Sequence, residues 1–238
     1  MIIDAHIHLQ GSVYAGDKRA GGDDLLRAMD EAGVSRAVVV GLGPEDNGSI
    51  IEIATSYSSR LIPFICVDPE DRPSLVIKRA ALERGIRGLG EIYLKCGPSQ
   101  LPEAHLRLVL EAAKTHALPV MIHTGDFSYT APLLMTDMAR RFPDVIFILA
   151  HMGSTAFVLD AIEIAKMFPN IYLETSGMTS PSMLGRAVAE CGPGRILFGS
   201  DYPFWHPLVE MERIEAADLG TATTRMILGE NIARLLDL

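Results

Sequence analysis

Four of the seven histidines in this sequence fall where an apolar, β-branched run gives way to a polar loop. His6 and His8 close the run IIDAHIH, His123 lies near the end of LPVMIHT, and His151 closes VIFILAH. Two acids occupy equivalent points, Glu91 near the end of IRGLGEI and Asp201 near the end of ILFGSDY. The i, i+2 spacing of His6 and His8 sends both imidazoles from the same face of a strand. Imidazoles and carboxylates gathered at one point are the donors that bind Zn, Mn or Fe. Buried without partners they would be costly, whereas a divalent cation satisfies ring nitrogens and carboxylates together. A lone histidine at a strand end is ordinarily a hydrogen-bonded structural residue. Six such groups at matching points predict a metal site.

The elements that must position them recur along the whole chain. Eight apolar runs can be read, at 2–8, 36–42, 61–67, 86–92, 118–124, 145–151, 170–176 and 196–202, with starts 25 to 34 residues apart. That interval fits one strand, one crossover helix and two loops. Helical patterns fill the gaps: DDLLRAMDEAGV places Leu25, Leu26 and Met29 on one side and ends at Gly33, LPEAHLRLVLEAAKTHA begins with Pro102, and TAFVLDAIEIAKMFPN stops before Pro169. Strands that read as nearly continuous apolar runs and alternate with helices indicate a parallel sheet covered on both faces. Eight units in 238 residues predict a (β/α)8 TIM barrel, and with no linker or composition break the chain reads as a single domain over residues 1–238. All six candidate residues would then meet at the C-terminal mouth, where barrel enzymes place their active sites.

Composition narrows the function classes. With 21 Lys plus Arg against 30 Asp plus Glu, the net charge of -9 disfavours nucleic acid and anionic membranes as partners. Cys66, Cys96 and Cys191 are odd in number and far apart, so neither a disulfide framework nor a cysteine zinc site is indicated, and a cytoplasmic location is expected. No GxSxG elbow or GxxxxGK phosphate loop occurs, and Gly85, Gly88 and Gly90 have the wrong order for a dinucleotide fingerprint. Those glycines read instead as sites of close packing. His105 and His116 fall in a helical pattern and read as surface residues, His206 as within reach of substrate, and the loop GLGPEDNG (41–48) as either a lid or an ordinary turn.

Taken in order, DAHIH, GEIYL, MIHTG, LAHMG and LFGSDYP resemble the amidohydrolase superfamily of metal-dependent barrels. The resemblance is to the amidohydrolase-related group that includes aminocarboxymuconate-semialdehyde decarboxylase, resorcylate decarboxylase and pyrone-dicarboxylate lactonase, and it runs the full length. It implies that His6, His8 and His123 are metal ligands and that Asp201 sits beside the metal-bound water. It makes His151 a general acid/base or a second-metal ligand. Glu91 departs from the carboxylated lysine of many binuclear members and resembles the bridging glutamate of TatD-type deoxyribonucleases, and Lys95 lies too far along to serve as that lysine. One zinc ion is the expectation, with Mn or Fe as alternatives and a second ion at Glu91 and His151 left open.

The chemistry expected is hydrolysis of an amide, ester or lactone by an activated water, with Asp201 accepting its proton and His151 assisting. The rival is a non-oxidative decarboxylase of an unsaturated or aromatic acid. A pocket arginine would favour decarboxylation, and Arg87, sharing strand parity with Glu91, is the candidate. A TatD-like phosphodiesterase and a metal-stabilised binding protein complete the alternatives. Phe127, Tyr129, Phe204 and Trp205 could line the pocket of a small-molecule substrate. A homodimer is left open.

Overall fold

The computed structural model describes residues 1–9, 22–68, 85–94, 103–178 and 180–238, and of residues 103–105 the backbone alone. Eight parallel strands run in chain order: β1 (Ile2–His8), β2 (Val34–Val40), β3 (Leu61–Ile65), β4 (Gly88–Ile92), β5 (Val120–His123), β6 (Phe147–Ala150), β7 (Ile171–Glu174) and β8 (Ile196–Leu197). The last segment then returns to the first. Ala5 N donates to Phe198 O at 2.8 Å, Asp201 N to His6 O at 2.7 Å, and His8 N to Tyr202 O at 2.7 Å. The result is a nearly closed, single-domain (β/α)8 TIM barrel.

Apolar side chains divide between the inside of the barrel and the layer under the helices. Ile3, Val38, Ile62, Phe64, Met121 and Ile148 belong to the inner cluster, joined by Ile232 and Leu236 from the helix Asn231–Leu236. Outside, Leu25, Ala28 and Met29 of the helix Gly22–Glu31 are buried at i, i+3, i+4 spacing. The helix Ser154–Met167 likewise buries Val158, Ala161, Ile162 and Ala165 before Pro169. Pro181 and Pro207 open their helices at the first turn, where a missing N–H costs nothing.

Two register irregularities decide where the polar side chains go. In β1, Asp4 pairs with Ala37 but Ile7 with Val39, so three steps on one strand match two on the other. The alternation therefore slips: Ile3 and Ala5 face the barrel interior, yet His6 and His8 also turn inward while Ile7 packs outward. β4 repeats the device, with Leu89 against Val120 and Ile92 against Ile122. Bulges of this kind re-aim side chains near active sites. Gly90 makes the second one possible, because its φ of +129° suits glycine and a Cβ there would lie 2.5 Å from Met121 O.

Asp4, wholly buried, fastens the seam. Its Oδ1 accepts from His6 N and from Ser200 N, both at 3.0 Å. The eighth run is shorter as a strand than its sequence suggests, since residues 199–202 leave β7 and bond to β1 instead. β2 begins at Val34, two residues before the expected start, and the other strands lie within their predicted runs. Among the described residues no helix is long and apolar enough to cross a membrane.

Candidate metal centre

The six residues singled out from the sequence gather at the mouth of the barrel as two trios. In the first, His8 Nε2 lies 3.2 Å from His6 Nε2 and 3.0 Å from Asp201 Oδ1, with His6 Nε2 3.7 Å from the same oxygen. In the second, Glu91 Oε1 lies 2.8 Å from His123 Nδ1 and 3.2 Å from His151 Nε2, and the two ring nitrogens are 3.2 Å apart. Glu91 spans both, its Oε2 standing 3.5 Å from His6 Nε2 and 3.6 Å from His8 Nε2. His123 thus stands with Glu91 and His151, apart from the His6, His8, Asp201 group with which the sequence reading placed it.

These spacings fit divalent ions. Nitrogen and oxygen ligands at 2.0 to 2.1 Å from a tetrahedral centre stand about 3.3 Å from one another, close to the edges of both triangles. The donor chemistry agrees, since imidazole and carboxylate suit Zn, Mn and Fe. Electrostatics agree as well. Burial alone would lower the basicity of His6, but the charges of Glu91 and Asp201 outweigh it and hold its pKa well above the usual histidine value. His123 is pushed up to about 9, with Glu91 overcoming the opposing effect of burial. Burial alone would likewise raise the Glu91 pKa, and His123 and His6 hold it well below the carboxylate range instead. The carboxylates make the pocket favour positive charge.

Several neighbours that the sequence reading passed over support the trios. Asp126 Oδ2 lies 2.8 Å from His123 Nε2, three residues on in the HTGD turn. Glu174, at the end of β7, lies 3.1 Å from His6 Nδ1, and Ser176 Oγ lies 2.8 Å from His151 Nδ1. Position offered a signal for Glu174, which closes the stretch NIYLE as His123 closes LPVMIH. His151 and Asp201 both adopt left-handed backbone, at φ of 62° and 56°. Non-glycine residues held there cost on the order of 1 kcal/mol each and recur at functional sites.

A cavity of about 340 Å3 opens above the trios, rimmed by Leu42, Tyr93, Phe204 and Trp205. Phe204 meets the His8 ring edge-on at 5.8 Å, and Tyr93 lies 4.5 Å from the His123 ring. Phe127 and Tyr129 stack on each other at 5.1 Å and do not line this cavity. Arg87 is not at the mouth: it precedes the β4 bulge, so parity with Glu91 is lost, and its guanidinium donates to Leu236 O at the opposite end. His206 caps the helix Pro207–Glu215 by accepting from Leu208 N and does not line the cavity. The 41–48 loop is a fixed turn, since Asp46 accepts from Leu42 N and the Asn47 amide bonds both Cys66 N and Cys66 O. His116 is half-buried after its helix, while Lys95, Cys96 and the His105 side chain lie outside the described residues.

The model of the amidohydrolase family matches residues 3–238. This chain belongs to that family. Among solved structures, the amidohydrolase barrel described here resembles an uncharacterised TIM-barrel protein from Bordetella bronchiseptica (TM-score 0.82, 20% identity, covering 99% of this chain and 98% of that one). It is also similar to a dihydroxybenzoic acid decarboxylase from Polaromonas sp. JS666 with bound manganese and the inhibitor 2-nitroresorcinol (0.77, 18%, 100% and 97%). A third similar structure is a probable 2-pyrone-4,6-dicarboxylic acid hydrolase from Acinetobacter baumannii (0.73, 16%, 100% and 99%). No curated protein matches the sequence. At these identities the likeness carries the fold, and the reaction must be argued from the site.

Proposed function

We propose that this amidohydrolase-family chain is a metal-dependent hydrolase of an amide, ester or lactone bond in a small molecule. The observation that carries the reading is the pair of donor trios sharing Glu91 at the floor of an open, apolar-rimmed cavity. His6, His8 and Asp201 would hold one divalent ion, and Glu91, His123 and His151 a second. Bound there, such ions would supply a Lewis acid for the substrate carbonyl and an acidified water.

The chain's own groups account for the rest. Attack of water on the acyl carbon releases one proton, which the Asp201 carboxylate accepts and returns to the departing nitrogen or oxygen as the acyl bond breaks. His151 has only Nε2 facing inward, at 3.2 Å from both Glu91 Oε1 and His123 Nδ1, and would be occupied as a ligand, whereas the Asp201 carboxylate has a second oxygen for the proton. Tyr93, Phe204 and Trp205 would hold an apolar acyl or leaving group against the rim.

Decarboxylation is the rival, supported by the shared fold with decarboxylases. Against it, the arginine expected to hold a carboxylate lies at the other end of the barrel, and no Lys or Arg stands among the described residues lining the cavity. Elemental analysis should find zinc or manganese in the purified protein. A panel of lactones, esters, amides and aromatic acids should then show acid release from a lactone or ester, abolished by chelation and restored by the ion. Carbon dioxide release without hydrolysis would transfer the assignment to the lyase, and hydrolysis of a phosphodiester alone to a phosphodiesterase.

A further inference from the structure

Glu174 is wholly buried at the end of β7 and receives four donors. Its Oε2 lies 3.1 Å from His6 Nδ1, 3.2 Å from His151 N and 2.8 Å from Ser176 Oγ, and its Oε1 takes Ser176 N. Ser176 Oγ is in turn 2.8 Å from His151 Nδ1. A carboxylate only accepts, so the direction of every bond in this chain is set. His6 donates from Nδ1, Ser176 donates its hydroxyl proton, and the freed lone pairs of Ser176 Oγ accept from His151 Nδ1. With a cation in place of a second ring proton, each ring would therefore offer its lone pair from Nε2. Those two nitrogens are the ones that face Glu91, His6 Nε2 at 3.5 Å from Oε2 and His151 Nε2 at 3.2 Å from Oε1.

We infer that Glu174, directly for His6 and through Ser176 for His151, is the positioning residue that fixes the tautomer of one histidine in each trio and so couples the two ion sites. The inference rests on the metal-centre reading above. Space around Glu174 is kept by a residue with no side chain: a Cβ on Gly199 would stand 2.3 Å from Glu174 Oε1 and 2.9 Å from His6 Cβ. A second-layer partner of this kind ordinarily alters metal affinity 10- to 100-fold when removed. Here one residue would act on both ions, and Ser176 on one.

The test is titration of the full chain with zinc and, separately, manganese by calorimetry, with bound ion counted by elemental analysis after dialysis. Glu174→Gln keeps the volume but turns an amide N–H toward groups that are themselves donors. Both ion affinities should fall about 10-fold or more. Ser176→Ala should weaken only the ion held with His151, and this second variant carries the test if the first does not fold. The melting temperature of the metal-free protein separates positioning from packing: a lower melting temperature with unchanged affinities overturns the inference. Loss of a single ion in Glu174→Gln, or equal loss of both in Ser176→Ala, overturns it as well. A wild-type chain that retains no ion overturns the metal-centre reading and this assignment together, a result distinct from a loaded wild type with unaltered variants.

Discussion

Asp126 grips His123 by its outer nitrogen, Oδ2 to Nε2 at 2.8 Å, and so turns Nδ1 of the same ring toward Glu91. The bond draws the Asp126 pKa below its ordinary value. Removing the carboxylate in Asp126→Ala frees the ring to rotate, and the affinity of the ion held by His123 should fall 10- to 100-fold with the other ion unchanged. Calorimetric titration of the two sites checks this. Asp126 is half exposed, so the melting temperature of the metal-free chain should hardly move.

Glu91→Gln tests the bridge between the trios. The substitution preserves size but removes the charge on which His6 and His123 both depend. The chain should retain at most one ion per molecule by elemental analysis, with its circular dichroism unaltered. Two retained ions would return Glu91 to a purely structural role.

Asp201→Asn addresses the proton. If Asp201 accepts it from the attacking water, turnover should drop by at least ~100-fold, as expected for lost general-base help. Substrate affinity should change less, because the group acts mainly in the transition state. Initial rates and a binding measurement on the ion-loaded variant decide it, and full activity with ions retained sinks the mechanism.

Glu210 gives the fold a pH signature away from the candidate metal centre. Burial pushes its carboxyl up to about 7 from an ordinary 4.5, against the opposing pull of Arg213. Between those values the folded chain holds a proton that the unfolded chain has released, so stability falls as pH rises across the window and levels off above it. The whole effect amounts to at most about 3 kcal/mol. Urea denaturation of the metal-free protein from pH 5 to 8 should show this slope, and Glu210→Gln, which can still accept from Gly177 N, should make it shallower, leaving the part due to Asp4, whose carboxyl burial also pushes up to about 7.

The barrel was legible because parallel strands covered on both faces read as apolar runs, and the spacing left room for a helix between each pair. The gathering of the six candidate residues was legible because each stood near the end of an apolar run, the position that a barrel turns into its mouth. What the sequence concealed was register. Alternation places Arg87 and Glu91 on one face of an ideal strand, but the extra residue between Leu89 and Ile92 breaks that parity, and Arg87, just before the start of β4, bonds Leu236 O at the other end of the barrel. The same slip in β1 lets Ile3 and His6 share the interior, which no period-2 pattern can express. The division of the six donors into two trios was likewise hidden, since it depends on which ring nitrogen each histidine turns inward.

The clasp at Asp4 has a meaning for the order of events during synthesis. Its two bonds join residues 4 and 6 to residue 200, a separation of 196 positions along the chain. During synthesis His6 and His8 leave the ribosome long before Asp201, which carries their oxygen partner. Contacts this remote in sequence form late. His6 and His8 would therefore wait for residues 199–202 to dock on β1 before their candidate ion site had its carboxylate.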